Sequence, residues 1–326
     1  MMPELKAMAL AGLGLMLSIP AFGADTGRPG TVNYVEGAAY LDGQQVTDKS
    51  IGNTNLNPGQ ELTTQKGKAE ILLTPGVFLR LDDNSEVKMI SPDLTRTQVE
   101  LEHGRAGVEV DEVHPQNNLD IIDAGVTTQL VKNGFYEFNA DQPTAMVFDG
   151  KAAVEIGDGN YKVVKNHHEF ALVAGPNDKP LAKEKPASFN TNEAKDDLYN
   201  WSSLRSQYLA EANNQIAGQY VGGPGFNAGW YWDPYAYGYT FIGIDPFYSP
   251  FGWGFYPFGW GGWYGGWYGG RYYGGRRGYV GPGRVGGPVH GGPMGGVHAG
   301  GFAGGGFHGG GGFAGGGFHG GGGGHR

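Results

Sequence analysis

From residue 31 to residue 173 the chain alternates apolar and polar positions in short runs, each closed by a turn former. Val77, Leu79 and Leu81 fall on one side of a two-residue repeat and Phe78 and Arg80 on the other; Val108 and Val110 oppose Glu109 and Asp111. A period of two predicts strands, because successive side chains of a strand point to opposite faces. Strands are expected at residues 69–73, 77–81, 86–89, 98–101, 105–110, 119–122, 126–131, 135–139, 145–148, 152–156, 161–164 and 169–173. Between them stand Pro58-Gly59, Thr74-Pro75-Gly76, Asp82-Asp83-Asn84, His103-Gly104, Asp149-Gly150 and Gly157-Asp158-Gly159-Asn160. Each of these presets a turn or tolerates positive φ. Many short strands, with no run long enough for a βαβ unit, predict an all-β domain: a sandwich, a barrel or a short β-solenoid.

The period then lengthens. Ala194, Leu198, Trp201, Leu204, Tyr208, Ala212 and Ile216 recur at three and four residues, one apolar stripe of an α-helix over residues 191–217. Asn190 or Thr191 is placed to cap its start, Glu193 lies in its first turn, and Gly218 is placed to end it. The stripe is expected to pack on the β domain rather than wait for a partner, since Trp201 is costly to leave in water.

Both ends of the chain break the pattern. Residues 1–23 carry a polar start with Lys6, an uncharged run over 7–19, and Ala21-Phe22-Gly23. That order predicts a secretory signal peptide cut before Ala24, too short before Pro20 for a membrane span. Beyond Ala217 lie 44 of the 63 glycines, and charge shifts from 18 basic against 30 acidic residues to five Arg against two Asp. The expected organisation is a signal peptide at 1–23, an all-β domain at 24–175, a linker at 176–190 and the helix at 191–217. A Trp/Tyr/Gly-rich segment at 218–280 and a Gly/Phe/His tail at 281–326 follow. The last 45 residues are expected to be disordered, because so much glycine raises the entropy cost of ordering. The aromatic segment is expected either to collapse or to dock on a partner.

The order of strands and turns resembles the FecR-like periplasmic domain. Its first phrase stands as Gly59-Gln60-Glu61-Leu62-Thr63-Thr64, Gly67-Lys68-Ala69-Glu70-Ile71-Leu72-Leu73, Gly76-Val77-Phe78-Leu79-Arg80-Leu81 and Ser85-Glu86-Val87. A second runs Leu101-Glu102-His103-Gly104-Arg105-Ala106-Gly107-Val108-Glu109-Val110, and a third Val147-Phe148-Asp149-Gly150-Lys151-Ala152-Ala153-Val154. Between them Gly134-Phe135-Tyr136-Glu137-Phe138-Asn139 keeps the family's Gly and Phe and lacks its Thr. The resemblance covers roughly residues 31–175 and implies a FecR-like β-sandwich or short solenoid. It also implies kinship with membrane regulators that hear from an outer-membrane iron-siderophore transporter and control a sigma factor. The chain departs from that layout in having a signal in place of a cytoplasmic segment, so any such role is expected to need a separate membrane partner.

Chemistry narrows function further. The chain has no Cys, so neither disulfides nor a thiol nucleophile are available. No Gly-x-Ser-x-Gly, phosphate loop or His-Glu-x-x-His occurs, and the adjacent His167 and His168 of a strand face opposite ways. Asp120 and Asp123 form a carboxylate pair of the kind that 32 acidic residues produce by chance. An enzyme is therefore not expected, nor a cofactor. His290, His298, His308, His319 and His325 are too widely spaced for a closed zinc site and are kept only as weak metal candidates. Arg271-Tyr272-Tyr273-Gly274-Gly275-Arg276-Arg277 has the chemistry of single-strand binding, yet export and an acidic domain argue against nucleic acid. Trp230, Trp232, Trp253, Trp260, Trp263 and Trp267 are candidate partner contacts, since aromatics give large area at low entropy cost. The expectation is an exported, periplasmic or cell-surface binding protein whose Gly-aromatic tail adheres to an envelope protein or a cell-surface polymer. The alternative is a periplasmic signal-sensing component of FecR-type regulation of iron uptake.

Overall fold

The computed structural model describes residues 27–114, 116–157, 159–173, 184–221, 226–236 and 238–257. The expected signal peptide, most of the linker, the five histidines and everything beyond residue 257 lie outside these.

Among the described residues fifteen strands precede the one α-helix. They are β1 (Val32–Leu41), β2 (Gln44–Gln45), β3 (Glu61–Leu72), β4 (Val77–Leu81), β5 (Glu86–Asp93), β6 (Arg96–His103), β7 (Arg105–Val110) and β8 (Leu119–Asp123). Then come β9 (Val126–Leu130), β10 (Gly134–Asn139), β11 (Thr144–Asp149), β12 (Lys151–Glu155), β13 (Tyr161–Lys165), β14 (His168–Ala171) and β15 (Ala187–Ser188). One helix, α1 (Asp197–Tyr220), follows, and then two hairpins, β16 (Gly229–Asp233) with β17 (Gly238–Ile242) and β18 (Phe247–Tyr248) with β19 (Gly254–Phe255).

The first fifteen strands form one open sheet in the order β13-β12-β9-β8-β6-β5-β3-β4-β7-β10-β11-β14-β15, with β1 and β2 joined to it through β3. Every pair is antiparallel except β6 with β8, where Thr97 stands beside Leu119 and Leu101 beside Asp123. Antiparallel pairing of this kind replaces the solenoid alternative, whose coils would stack parallel strands. The sheet bends so that one face becomes a single apolar core, joining Val32, Leu79, Val108, Leu119, Tyr136, Val164 and Phe170. Register keeps that face continuous: Leu79 opposes Val108, and Val108 opposes Tyr136.

Turn chemistry sets where strands reverse. Gly104, between β6 and β7, has φ 70°, and a Cβ there would lie 2.3 Å from Ser85 Oγ. Only glycine fits such a place. All twelve expected strands are present among the described residues, though β3 begins at Glu61, eight residues before its expected start. β1 was not among them. Gly37 interrupts its alternation, and its pairing with β3 shifts register between Gly37 and Ala39, a bulge that breaks the period of two.

Candidate functional site

In the middle of the sheet, along β4, β7 and β10 and the end of β3, the outer face is as buried as the inner one. By alternation β3, β4, β7 and β10 turn Glu70, Phe78, Arg80, Glu109, Phe135 and Glu137 away from the apolar core. Glu70, Arg80 and Glu109 are nevertheless wholly unexposed, because α1 and the two hairpins lie over them.

The helix begins where Asp196 accepts a hydrogen bond from the Tyr199 N–H, with Asp197 in its first turn. Its buried side includes Leu198, Trp201, Ser202, Ser206, Leu209, Ala212, Asn213 and Ile216, which recur with the period of a helix. Leu204 and Tyr208 of the expected stripe are 46% and 52% exposed instead. Leu198, Trp201, Ala212 and Ile216 of that stripe are buried as expected, and the departure is confined to the middle of the helix, where the charged sheet beneath selects Ser202 and Ser206 over leucine. Asn190 and Thr191 lie before the helix, and it runs past Gly218 to Tyr220.

Those polar partners are specific. Arg205 Nη2 donates to Glu70 Oε1 at 3.0 Å, and its guanidinium lies 3.9 Å from the centre of the Tyr34 ring. Ser206 Oγ donates to Glu109 Oε1 at 2.5 Å. Within the sheet, Arg80 Nε donates to Glu70 Oε2 at 2.8 Å, and its Nη1 pairs with Glu109 Oε2 at 2.5 Å. Asn33 Nδ2 donates both to Glu70 Oε1 and to the Tyr239 carbonyl, each at 2.9 Å, and so ties β1 to the first hairpin. Asn213 Nδ2 donates to the Phe241 carbonyl at 2.7 Å, and Trp253 Nε1 to the Ser203 carbonyl at 2.9 Å.

Burial alone would raise the Glu70 carboxyl, but the Arg205 and Arg80 guanidiniums outweigh it and hold it at about 2. Glu109 goes the other way: burial raises it more than Arg80 and Ser206 lower it. Asp111, buried beside it, is pushed well above the usual carboxylate range by burial and by Glu109. The face thus holds Glu70 ionised, while burial raises Glu109 and Asp111.

A second cluster sits at the helix N-terminus. Arg105 Nη2 donates to Asp196 Oδ2 at 2.5 Å and to Glu137 Oε2 at 3.1 Å, and its Nη1 is 3.5 Å from Asp82. Lys68 pairs with Asp82 and lies 2.9 Å from Asp197. Glu137 is 3% exposed; burial, then Asp196, push its carboxyl up to about 8 against the pull of Arg105. Beside it a cleft of about 160 Å³ is lined by Arg105, Glu137, Phe138, Asn139, Thr144 and Met146. Elsewhere Glu61, Glu86 and Glu102 bring carboxylate oxygens within 4.8 Å of one another, the arrangement of a cation site. The Lys88 ammonium, 2.7 Å from Glu61 and 3.5 Å from Glu102, already supplies the countercharge.

The expected partner tryptophans separate. Trp230 is 2% exposed and packs edge-on against Phe78 at 4.7 Å and Phe241 at 5.7 Å, inside a cluster with Leu72, Leu209, Tyr239 and Phe255. Trp232 and Trp253 are half-buried, the first edge-on to Tyr239. These three rings cover the sheet. Trp260, Trp263 and Trp267, like the five tail histidines, lie outside the described residues. His103 and His167 are exposed, and Asp120 and Asp123 fall three apart on β8, on opposite faces. What sequence reasoning missed is the acid-base floor: Glu70, Arg80, Glu109 and Arg205 each read as an ordinary polar position. The available signal was a lone charge in an apolar run, as at Arg80 within 77–81 and Glu137 within 135–138.

Two solved structures of a candidate anti-sigma factor from Parabacteroides distasonis ATCC 8503 are similar to this chain at 12% identity. The matches have TM-scores of 0.34 and 0.33 and cover 41% and 45% of this chain. The chain spans about 62% and 64% of the length of those proteins. No curated relative matches it. Residues 60–153 match the family model described as FecR protein, from the strand that carries Glu70 through the one that carries Ala152. The scaffold beneath the charged face, residues 60–153, is a FecR domain.

Proposed function

We propose that this chain is a non-catalytic regulatory module of the cell envelope: a FecR-type sensor, exported behind its signal peptide, that passes a signal on through a separate membrane partner. The observation that carries the reading is the FecR match over residues 60–153, the part of the sheet on which α1 docks. The chemistry of that face supports it. Arg80, Glu70, Glu109 and Arg205 are consumed in pairing with one another, a use of charge that fixes one arrangement of helix on sheet. Among the described residues no helix is long and apolar enough to cross a membrane.

Adhesion through the aromatic tail would rest on residues beyond 257, since Trp230 and Trp253 are engaged with the sheet and helix. The test is transcript profiling of a strain lacking the gene, complemented either with the full chain or with one ending at residue 257. A regulator is expected to alter a limited set of promoters, restored by both chains. Unchanged transcription together with a loss of surface attachment that only the full chain restores would overturn it.

A further inference from the structure

The cleft beside Glu137 is built from one face of three neighbouring strands. Glu137 on β10 stands opposite Met146 on β11, Asn139 opposite Thr144, and Arg105 of β7 opposite Asn139. Their side chains therefore share the outer face just beyond the N-terminus of α1. Among the described residues, Glu137 Oε2 is held by Arg105, whereas Oε1 is buried and has no hydrogen-bond partner. A buried acceptor left this way is costly, and the group that relieves it must bring an N–H or O–H donor.

Charge narrows the donor. Arg105 is shared by Glu137, Asp196 and Asp82, and Lys68 by Asp82 and Asp197. Even with Glu137 protonated, three carboxylates face two cations, and Glu169 on β14, opposite Met146, adds a further acid beside the cleft. An anion is repelled and a cation balances the site. Space narrows it again. About 160 Å³ is the room of roughly five waters, enough for a compact head and a short stem. The Met146 side of the cleft offers apolar contact to methylenes. Thr144 Oγ, which donates to the Gln142 carbonyl at 2.6 Å, keeps its acceptor capacity.

We propose that this cleft binds a primary ammonium group on an aliphatic stem, with Glu137 Oε1 accepting from the ammonium and Arg105 holding Oε2. The source is either a free alkyl diamine or the side chain of a lysine on a partner. Because burial favours the protonated carboxyl, seating a cation expels that proton, and binding is coupled to proton release. The site stands independently of the regulatory reading above.

The test is calorimetric titration of the full chain near neutral pH with cadaverine, and separately with Nα-acetyl-lysine N-methylamide. Each is run in two buffers of different ionisation enthalpy, with 1-pentanol as the neutral control. Saturable binding of an amine is expected, with heats that differ between buffers, and no heat from the alcohol. Glu137→Gln, which keeps the shape, should weaken binding by about tenfold or more and remove the buffer difference. Met146→Trp, which fills the cleft and leaves Glu137 in place, should also weaken it, and it decides the matter if the Gln variant fails to fold. Binding of cadaverine alone assigns a free amine, and binding of the lysine derivative a partner's lysine. No saturable heat from either amine up to about 10 mM, or binding unchanged in both variants, overturns the proposal.

Discussion

Arg205 of the helix and Glu70 of the sheet meet at 3.0 Å although 135 residues separate them, and the carboxylate they share with Arg80 has no exposure at all. Neither residue has a reason to be buried alone. Glu70 is ionised because two guanidiniums reach it, and Arg205 can lie against the sheet because Glu70 and the Tyr34 ring receive it. The pair joins α1 to β3.

Removing the helix side of this pair should loosen α1 without unfolding the inner core. Arg205→Met is expected to cost about 3 kcal/mol, since it leaves a buried carboxylate short of one partner. The double variant Glu70→Gln/Arg205→Met should cost less than the two single changes added together. Chemical denaturation of the four proteins measures both quantities.

Two acids of the covered face should give stability opposite slopes with pH. The folded value of Glu70 is about 2 against an ordinary 4.5, so its contribution is fully present above about 4.5 and is lost as pH falls towards 2. Glu137 is raised to about 8, so its contribution is fully present below about 4.5 and is lost as pH rises through 8. Denaturation midpoints between these limits should therefore fall on the alkaline side in the wild type. Glu137→Gln should flatten that side and leave the acid side as it was.

Glycines that look alike in sequence should differ in cost. Gly104 and Gly125 both have positive φ, 70° and 74°, but a Cβ at Gly104 meets Ser85 and Asn84 while one at Gly125 meets open space. Gly125→Ala is expected to cost about 1 kcal/mol of backbone strain, and Gly104→Ala clearly more. Thermal unfolding of the two variants side by side checks the order.

Trp230 should behave as a core residue. Trp230→Ala removes the ring that covers Phe78 and Phe241, and the expected loss is about 3–5 kcal/mol. Limited proteolysis should then cut within residues 226–257, a stretch expected to resist cleavage in the wild type.

The inner face of the sheet was legible because its signals are local: valine and leucine at every second position, turn formers between. β1 escaped because Gly37 breaks its alternation with a bulge. The outer face was not legible for a different reason. Glu109 and Asp111 oppose Val108 and Val110 in the pattern of a solvated strand, and only a helix returning nearly a hundred residues later buries them. Having no view of that floor, an apolar stripe placed Leu204 and Tyr208 inward, whereas Ser202, Ser206 and Asn213 lie there. Glycine content hid the hairpins in the same way. Trp230, Tyr239 and Phe241 alternate across a turn that starts at Asp233-Pro234, a strand signal outweighed by a tail-like composition. The cleft needed register to be seen, since nothing in the sequence sets Arg105, Glu137 and Met146 side by side.

Amide hydrogen exchange on the full chain tests most directly whether α1 and the first hairpin are part of the domain that the FecR strands build. The amides of Asp197–Tyr220 and of β17 should open with the same free energy as those of β4 and β7, because the Glu70–Arg205 and Asn33–Tyr239 contacts lock them together. If α1 and β17 exchange at the rate of an unprotected chain while β4 and β7 stay protected, the helix is not docked and the account of the covered face is wrong.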